Sequence, residues 1–301
     1  GSQGAQVGGV ENVFQEGEHR ASRNTAINLQ SLLITDCHLN LSVMHDESMY
    51  SYDVQKTRFS RTVTDGVKGG LLYQMPWKTS STVAFENTET LRDLGTQSIA
   101  SLTNKHKRVA LMLSHQFSKT LALDFTGYTQ IDQTFYLKYK ENPRDQDQLD
   151  GSVSMRLTSS PFRKINATIS GVYTNSKYVS IDATQSADNR TRELYELRPG
   201  FTYRLSDRVT IIQNYALTFE YTDYDYKDSE NYLDRNLTFS NTVQYHPTKK
   251  VGLQFEYAFL QHDNGSYLPN ENGEDVLNVR SKDRRDRTRI RRRRRARADL
   301  R

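Results

Sequence analysis

A soluble chain of 301 residues normally closes around a substantial apolar core, but here the hydrophobic share reaches 35% only by counting 18 tyrosines, and mean hydropathy is −0.78. No run approaches the roughly 18 apolar residues of a membrane helix, and 10% aromatic residues with only 6 prolines are not the makeup of a chain that stays unfolded. The formal charge of +5 belongs to the last stretch, where Arg280–Arg301 holds 12 Arg and one Lys against three Asp, so the remainder is net acidic and the basic total marks no nucleic-acid-binding body.

Residues 1–21 read as a polar, Gly-rich lead with neither the basic nor the apolar part of a targeting signal. A degenerate turn follows at Thr35 to His38. Five clearer copies carry a basic residue, in MPWKT, FSKT, SSPFRK, LSDR and HPTKK, marked by Lys78, Lys119, Arg163, Arg208 and Lys250 at spacings of 41, 44, 45 and 42. Units of about 42 residues thus cover Ser22 to Asn278.

On both sides of each turn the pattern alternates with period 2, the signature of a strand. After the first turn, Leu39, Leu41 and Val43 oppose Asn40 and Ser42; after Lys119, Leu121, Leu123, Phe125 and Ile131 oppose Asp124, Thr126, Gln130 and Asp132. Entering the next turn but one, Tyr195, Leu197, Phe201 and Tyr203 oppose Glu196, Arg198 and Thr202. Beyond it, Val209, Ile211, Tyr215, Leu217, Phe219 and Tyr221 oppose Thr210, Asn214, Thr218 and Glu220. The last unit repeats this with Val251, Leu253, Phe255, Tyr257 and Phe259 against Gln254 and Glu256. The far ends are joined by polar stretches such as ENPRDQDQLD and DYKDSENYLDR. The expectation is an all-β, antiparallel up-and-down barrel of about twelve or more strands, with short turns at one edge, long acidic loops at the other and odd-numbered residues outward.

Three features favour a membrane over a soluble β-sandwich. The alternation persists well beyond the usual 5 to 6 residues of a globular strand, roughly 9 to 11 alternating residues are enough to cross a bilayer, and no helical segment is available to cover a face. Hydrocarbon then demands closure, because a sheet edge leaves backbone groups unpaired. Asp124, Thr126, Gln130, Asp132, Asn166, Thr168, Arg198, Arg204, Asn214, Thr218, Glu220, Gln254 and Glu256 are expected to line a hydrated lumen. Tyr73, Trp77, Phe117, Phe162, Tyr203 and Tyr245 fall near the short turns and Phe219, Tyr221, Tyr257 and Phe259 about a membrane thickness away, as interfacial aromatics would.

With its repeated turn of an aromatic, Ser or Pro, then Lys or Arg, as in TYRLSDRVTII and VQYHPTKKVGLQF, followed by an alternating strand and a long acidic loop, the chain resembles the bacterial outer-membrane β-barrel class over residues 22 to 280. The resemblance implies short turns on the periplasmic side, long loops outside the cell, a lipid bilayer with lipopolysaccharide and the barrel assembly machinery as partners, and a channel or the wall of a larger transport or secretion barrel for a polar solute or secreted substrate. The alternatives are a soluble or surface-attached β-sheet protein in structure or adhesion and an outer-membrane barrel hydrolase. The sequence departs from the class in ending on Asp299, Leu300 and Arg301 without a terminal aromatic strand, and it reads as an excerpt of a longer protein.

Residues 281–301 read as an Arg-rich tail: SKDRRDRTRI has the form of a strand lead-in, and Arg291 to Arg295 then break the alternation. Nucleic acid is not the expected partner, since no RNP-type motif or zinc ligand set accompanies the run. His45 with Asp46, and His262 with Asp263, are adjacent pairs at the loop ends of strands. Cys37 beside His38 lacks the spacing of a zinc site. No catalytic, cofactor-binding or metal-binding set is identified, so neither an enzyme nor a cofactor is expected.

Overall fold

With side chains of opposite character alternating residue by residue, the chain has one regular solution, the extended strand, and each short turn sends the next strand back along the last. The computed structural model describes residues 3–15, 18–52, 59–94, 101–137, 145–248, 251–269 and 275–294. These form one 14-stranded sheet in which every strand pairs antiparallel with its sequence neighbour. The strands are β1 (Gln3–Gln15), β2 (Glu18–Ile34), β3 (Cys37–Tyr52), β4 (Phe59–Met75), β5 (Thr79–Asp93), β6 (Leu102–Ser118) and β7 (Leu121–Tyr136). They continue as β8 (Gln146–Phe162), β9 (Ile165–Ser180), β10 (Arg190–Ser206), β11 (Val209–Tyr224), β12 (Tyr232–Thr248), β13 (Val251–Pro269) and β14 (Asp275–Arg294). Short 3-10 turns at Ala183–Asp188 and Asp228–Glu230 interrupt two loops. β1 and β14 are the two edges of the sheet order.

The repeat is visible as a recurring hydrogen bond. Each short turn offers a backbone carbonyl to the next hairpin: Asp36 to the Gln74 amide at 2.8 Å, Lys78 to Gln116 at 3.1 Å, Thr120 to Ser160, Lys164 to Arg204 and Arg208 to His246, each at 2.7 Å. Successive hairpins therefore dock in nearly the same register. Two turns place Asp36 (φ 66°) and Lys78 (φ 56°) in the left-handed region, which an L-residue enters only where a tight reversal demands it.

The loop ends are pinned differently. The Leu94 amide donates to Ser101 Oγ (3.0 Å), Tyr136 to Asp145 Oδ1, Ser180 to Asn189 Oδ1 and Tyr224 to Asn231 Oδ1 (2.7 Å each). A polar side chain at the foot of each of these loops thus takes up a strand-end amide that would otherwise lack a partner.

No second layer is present among the described residues. Cys37, Ala110 and Leu233 are the only buried apolar residues there, while Ile27, Phe85, Val109, Ile169 and Phe255 are each more than two-fifths exposed. The described residues form no packed core on either side of the sheet.

The lead, read from sequence as lying outside the strands, contributes β1 and the start of β2, and the strand lead-in read at SKDRRDRTRI is part of β14, which continues through the arginine run to Arg294, paired with β13 down to Val251. Backbone pairing does not depend on side-chain hydropathy, and charged side chains are what an edge strand tolerates best.

Candidate functional site

Side-chain parity organises the molecule. Cross-strand partners point to the same side of a sheet, and the pairings link Leu41 to Gly69, Gly69 to Phe85, Phe85 to Val109, Val109 to Thr129, and onward through Gly151, Asn175, Glu193, Tyr221 and Leu233 to Gly265. Odd-numbered residues thus share one face from β2 through β13. All thirteen residues expected to line a lumen are even-numbered and lie on the other face.

The odd face is apolar over about nine residues next to the short turns, as in Tyr195 to Tyr203 or Val251 to Phe259. Aromatic pairs cross it, with Tyr173 against Tyr195 (ring centroids 4.9 Å), Tyr215 against Phe239 (4.6 Å) and Phe239 against Tyr257 (6.1 Å). Tyr73, Tyr203 and Tyr245 sit near the turn edge, where Trp77, Phe117 and Phe162 are well exposed. Phe219 and Tyr221 stand further along β11, and Tyr257 and Phe259 close the far end of the nine-residue apolar stretch of β13. Toward the loops the odd face becomes charged, with His45–Asp65 (2.6 Å), Arg61–Glu47 (2.8 Å), Lys105–Glu89 (3.7 Å) and Arg235–Asp263. That charged upper band went unread in the sequence, although its signal was there: Glu47, Arg61, Asp65, Glu89, Lys105, Arg235 and Asp263 are ionic residues at odd positions.

The even face is a polar network of mixed charge. Gln130 Nε2 donates to Asp132 (3.0 Å) and Asp150 (3.1 Å), Gln148 donates to Asp150, and His106 pairs with Asp132. Ser114 donates to Asp124 (2.7 Å) and Ser160 to Asn166 (2.7 Å). Arg192 pairs with Glu220 (2.7 Å) and Arg198 with Glu196 (2.6 Å). The residue-adjacent pairs fall apart for the same geometric reason that built the faces. His45 lies on the odd face with Asp65 while Asp46 lies on the even one, His262 bonds Asn236 on the even face while Asp263 holds Arg235 on the odd one, and Cys37 and His38 likewise point apart.

Two of the concavities that open on the even face have Gly and Ala in their floors. One, of about 470 Å³, is lined by Lys68, Glu86 and Arg108 over Gly70, Ala84 and Ala110. Its cations are engaged: Lys68 bonds Glu86 at 2.8 Å, and the Arg108 guanidinium lies 4.5 Å from the Tyr128 ring centroid. The other, of about 720 Å³, spans β9 to β14.

No family model and no curated protein sequence matches the chain. Among solved structures it is similar to OmpT (in-vitro folded), an outer membrane protein of Vibrio cholerae in its trimer form, at 12% identity and a TM-score of 0.40, with 89% of each chain covered.

Proposed function

We propose that the chain forms an outer-membrane β-barrel whose even face lines a water-filled passage for polar solutes, alone or as the wall of a larger transport or secretion barrel. The observation that carries this reading is the segregation of side chains by parity through β2–β13, with an odd face left apolar and uncovered. Nine strand residues at about 3.3 Å each, tilted by about 40°, rise roughly 23 Å along a barrel axis, close to the roughly 25 Å apolar band of such barrels. A soluble sheet would have to cover that surface, since exposed apolar patches of this extent mark contact with lipid or protein. The even number of strands lets β1 meet β14 antiparallel, so one further ladder would leave no open edge.

Lipid bilayer and lipopolysaccharide are the surroundings this face fits, with the charged upper band of the odd face at the height of the headgroups. Assembly would pass through the barrel assembly machinery, and the role is that of a channel or scaffold rather than an enzyme. Purified protein reconstituted in planar bilayers is expected to conduct ions. Folded protein that never conducts would remove the channel reading and leave a scaffold.

A further inference from the structure

In β10, Pro199 sits inside a strand flanked on both sides, where proline is normally excluded because it cannot donate to a ladder. The consequence is visible: β10 pairs with β11 through Leu197 and again from Gly200, with Arg198 and Pro199 left out, while the pairing with β9 continues unbroken. Gly200 follows, and a Cβ there would meet Asn214 Oδ1 at 3.2 Å. A strand rule broken in a defined place, beside a concavity, is the kind of local inconsistency that function explains.

The concavity beside it has a built shape. Cross-strand pairing runs from the Gly200 row through Asn214 and Ser240 to Ala258 and then Arg287, and Leu260 in the adjacent row pairs with Arg285. Asn214, Thr238 and Ser240 set hydrogen-bonding groups among Gly200, Ala216, Ala258 and Leu260 on the floor, and long guanidinium side chains make both rims, Arg198 on β10 and Arg285 with Arg287 on β14. The strands between the rims set them nearly 20 Å apart along the sheet, at about 4.8 Å per strand. Arg198 leans on Glu196 and Arg285 on Asp283 (2.7 Å), whereas Arg287 has no ion pair among the described residues. Guanidinium forks hold carboxylate or phosphate in two-point contact, and a floor that alternates Asn214, Thr238 and Ser240 with Gly, Ala and Leu suits a sugar ring, which has hydroxyls at its edge and C–H groups on its faces.

We infer that this concavity binds a polyhydroxylated organic anion, a sugar carrying a phosphate or carboxylate. The inference deepens the channel reading by naming a solute class for its wall, and it rests on that reading only for the step from binding to passage. Full-length protein folded in detergent, with its heat-dependent gel mobility as a check of folding, is titrated by calorimetry with glucose 6-phosphate, glucuronate, glucose and inorganic phosphate. Binding of at least one sugar anion is expected, weakened at least tenfold in an Arg285→Ala/Arg287→Ala variant and lost in Ser240→Trp, which fills the floor without touching a charge. Arg61→Ala, on the odd face, should leave it unchanged.

Binding unaffected by both site variants, no binding of either sugar anion by the folded protein, or glucose or inorganic phosphate binding as tightly as the sugar anions overturns the inference. Protein that conducts without binding defeats this inference alone. Protein that binds without conducting defeats the channel alone.

Discussion

Leu217 and Thr218 are chain neighbours on opposite sides of a single-layer sheet, so one substitution made at each reads out two environments. Leu217 lies in the apolar stretch of β11, opposite Leu197 on one side and Leu237 on the other. Leu217→Arg is expected to cost about 2 to 4 kcal/mol in lipid, the range for a cation on the hydrocarbon face of a barrel near its midplane. Thr218→Arg, on the even face, should stay within about 0.5 kcal/mol. Urea titration of the folded fraction in phospholipid vesicles measures both, and equal losses would contradict the facing. A second residue-scale case is Gly69, where an added Cβ would fall 2.3 Å from the Phe85 ring. Phe85 must swing aside in Gly69→Ala, which is expected to cost about 1 to 3 kcal/mol in the same titration.

At the scale of elements, the loop ends owe their order to polar side chains. Lys227 Nζ reaches Asp188 Oδ1 at 3.0 Å and ties the β11–β12 loop to the 3-10 turn after β9. That hydrogen bond raises the Lys227 ammonium above its ordinary pKa. A lysine whose folded pKa is raised contributes stability that is fully present below its unfolded pKa, near 10.4, and is lost as pH rises through the folded value. The tie is therefore expected to hold throughout the neutral range and, on the alkaline side, to release in strong alkali, whereas Asp188→Asn should loosen it at pH 7. Proteolysis near residues 182–189 tests this, with faster cleavage of the variant expected at pH 7; equal rates would show that the tie does not order the loop.

The turns, strand directions and the division into two faces were legible because side-chain period is fixed by the backbone: placing one residue, such as Leu217, on a face places every odd residue of its strand with it. The first strand was not legible, and of the last only the lead-in at SKDRRDRTRI was. β1 is Gly-rich and carries a register shift between Val7 and Val10, which reverses its parity relative to β2. In β14 a shift opposite Asn264 and Gly265 puts Lys282 and Arg284 on the same side as the odd residues of β13, and Arg285 and Arg287 on the other. With cations at both parities no alternation exists to be read. The Arg198–Glu196 and Lys227–Asp188 ties were equally hidden, since sequence spacing gives neither rotamer nor loop path. The concavity beside Pro199 left one clue, a proline inside an otherwise clean strand pattern.

For the whole molecule, a sheet whose described residues form no packed core is proposed to be held by lipid against its odd face and water against its even one. Closing β1 on β14 would bury the two remaining edges, and the arginines of β14 would then stand in the wall on both sides. The most direct test is a nitroxide scan of β11, one label per residue from Val209 to Thr222, in lipid vesicles, with collision rates measured for dissolved oxygen and for a water-soluble nickel chelate. The account predicts a strict two-residue period, with oxygen collisions highest at odd positions in the apolar stretch, nickel collisions highest at even positions, and the two patterns out of phase. Equal accessibility at Leu217 and Thr218, or an oxygen pattern without period 2, would contradict it.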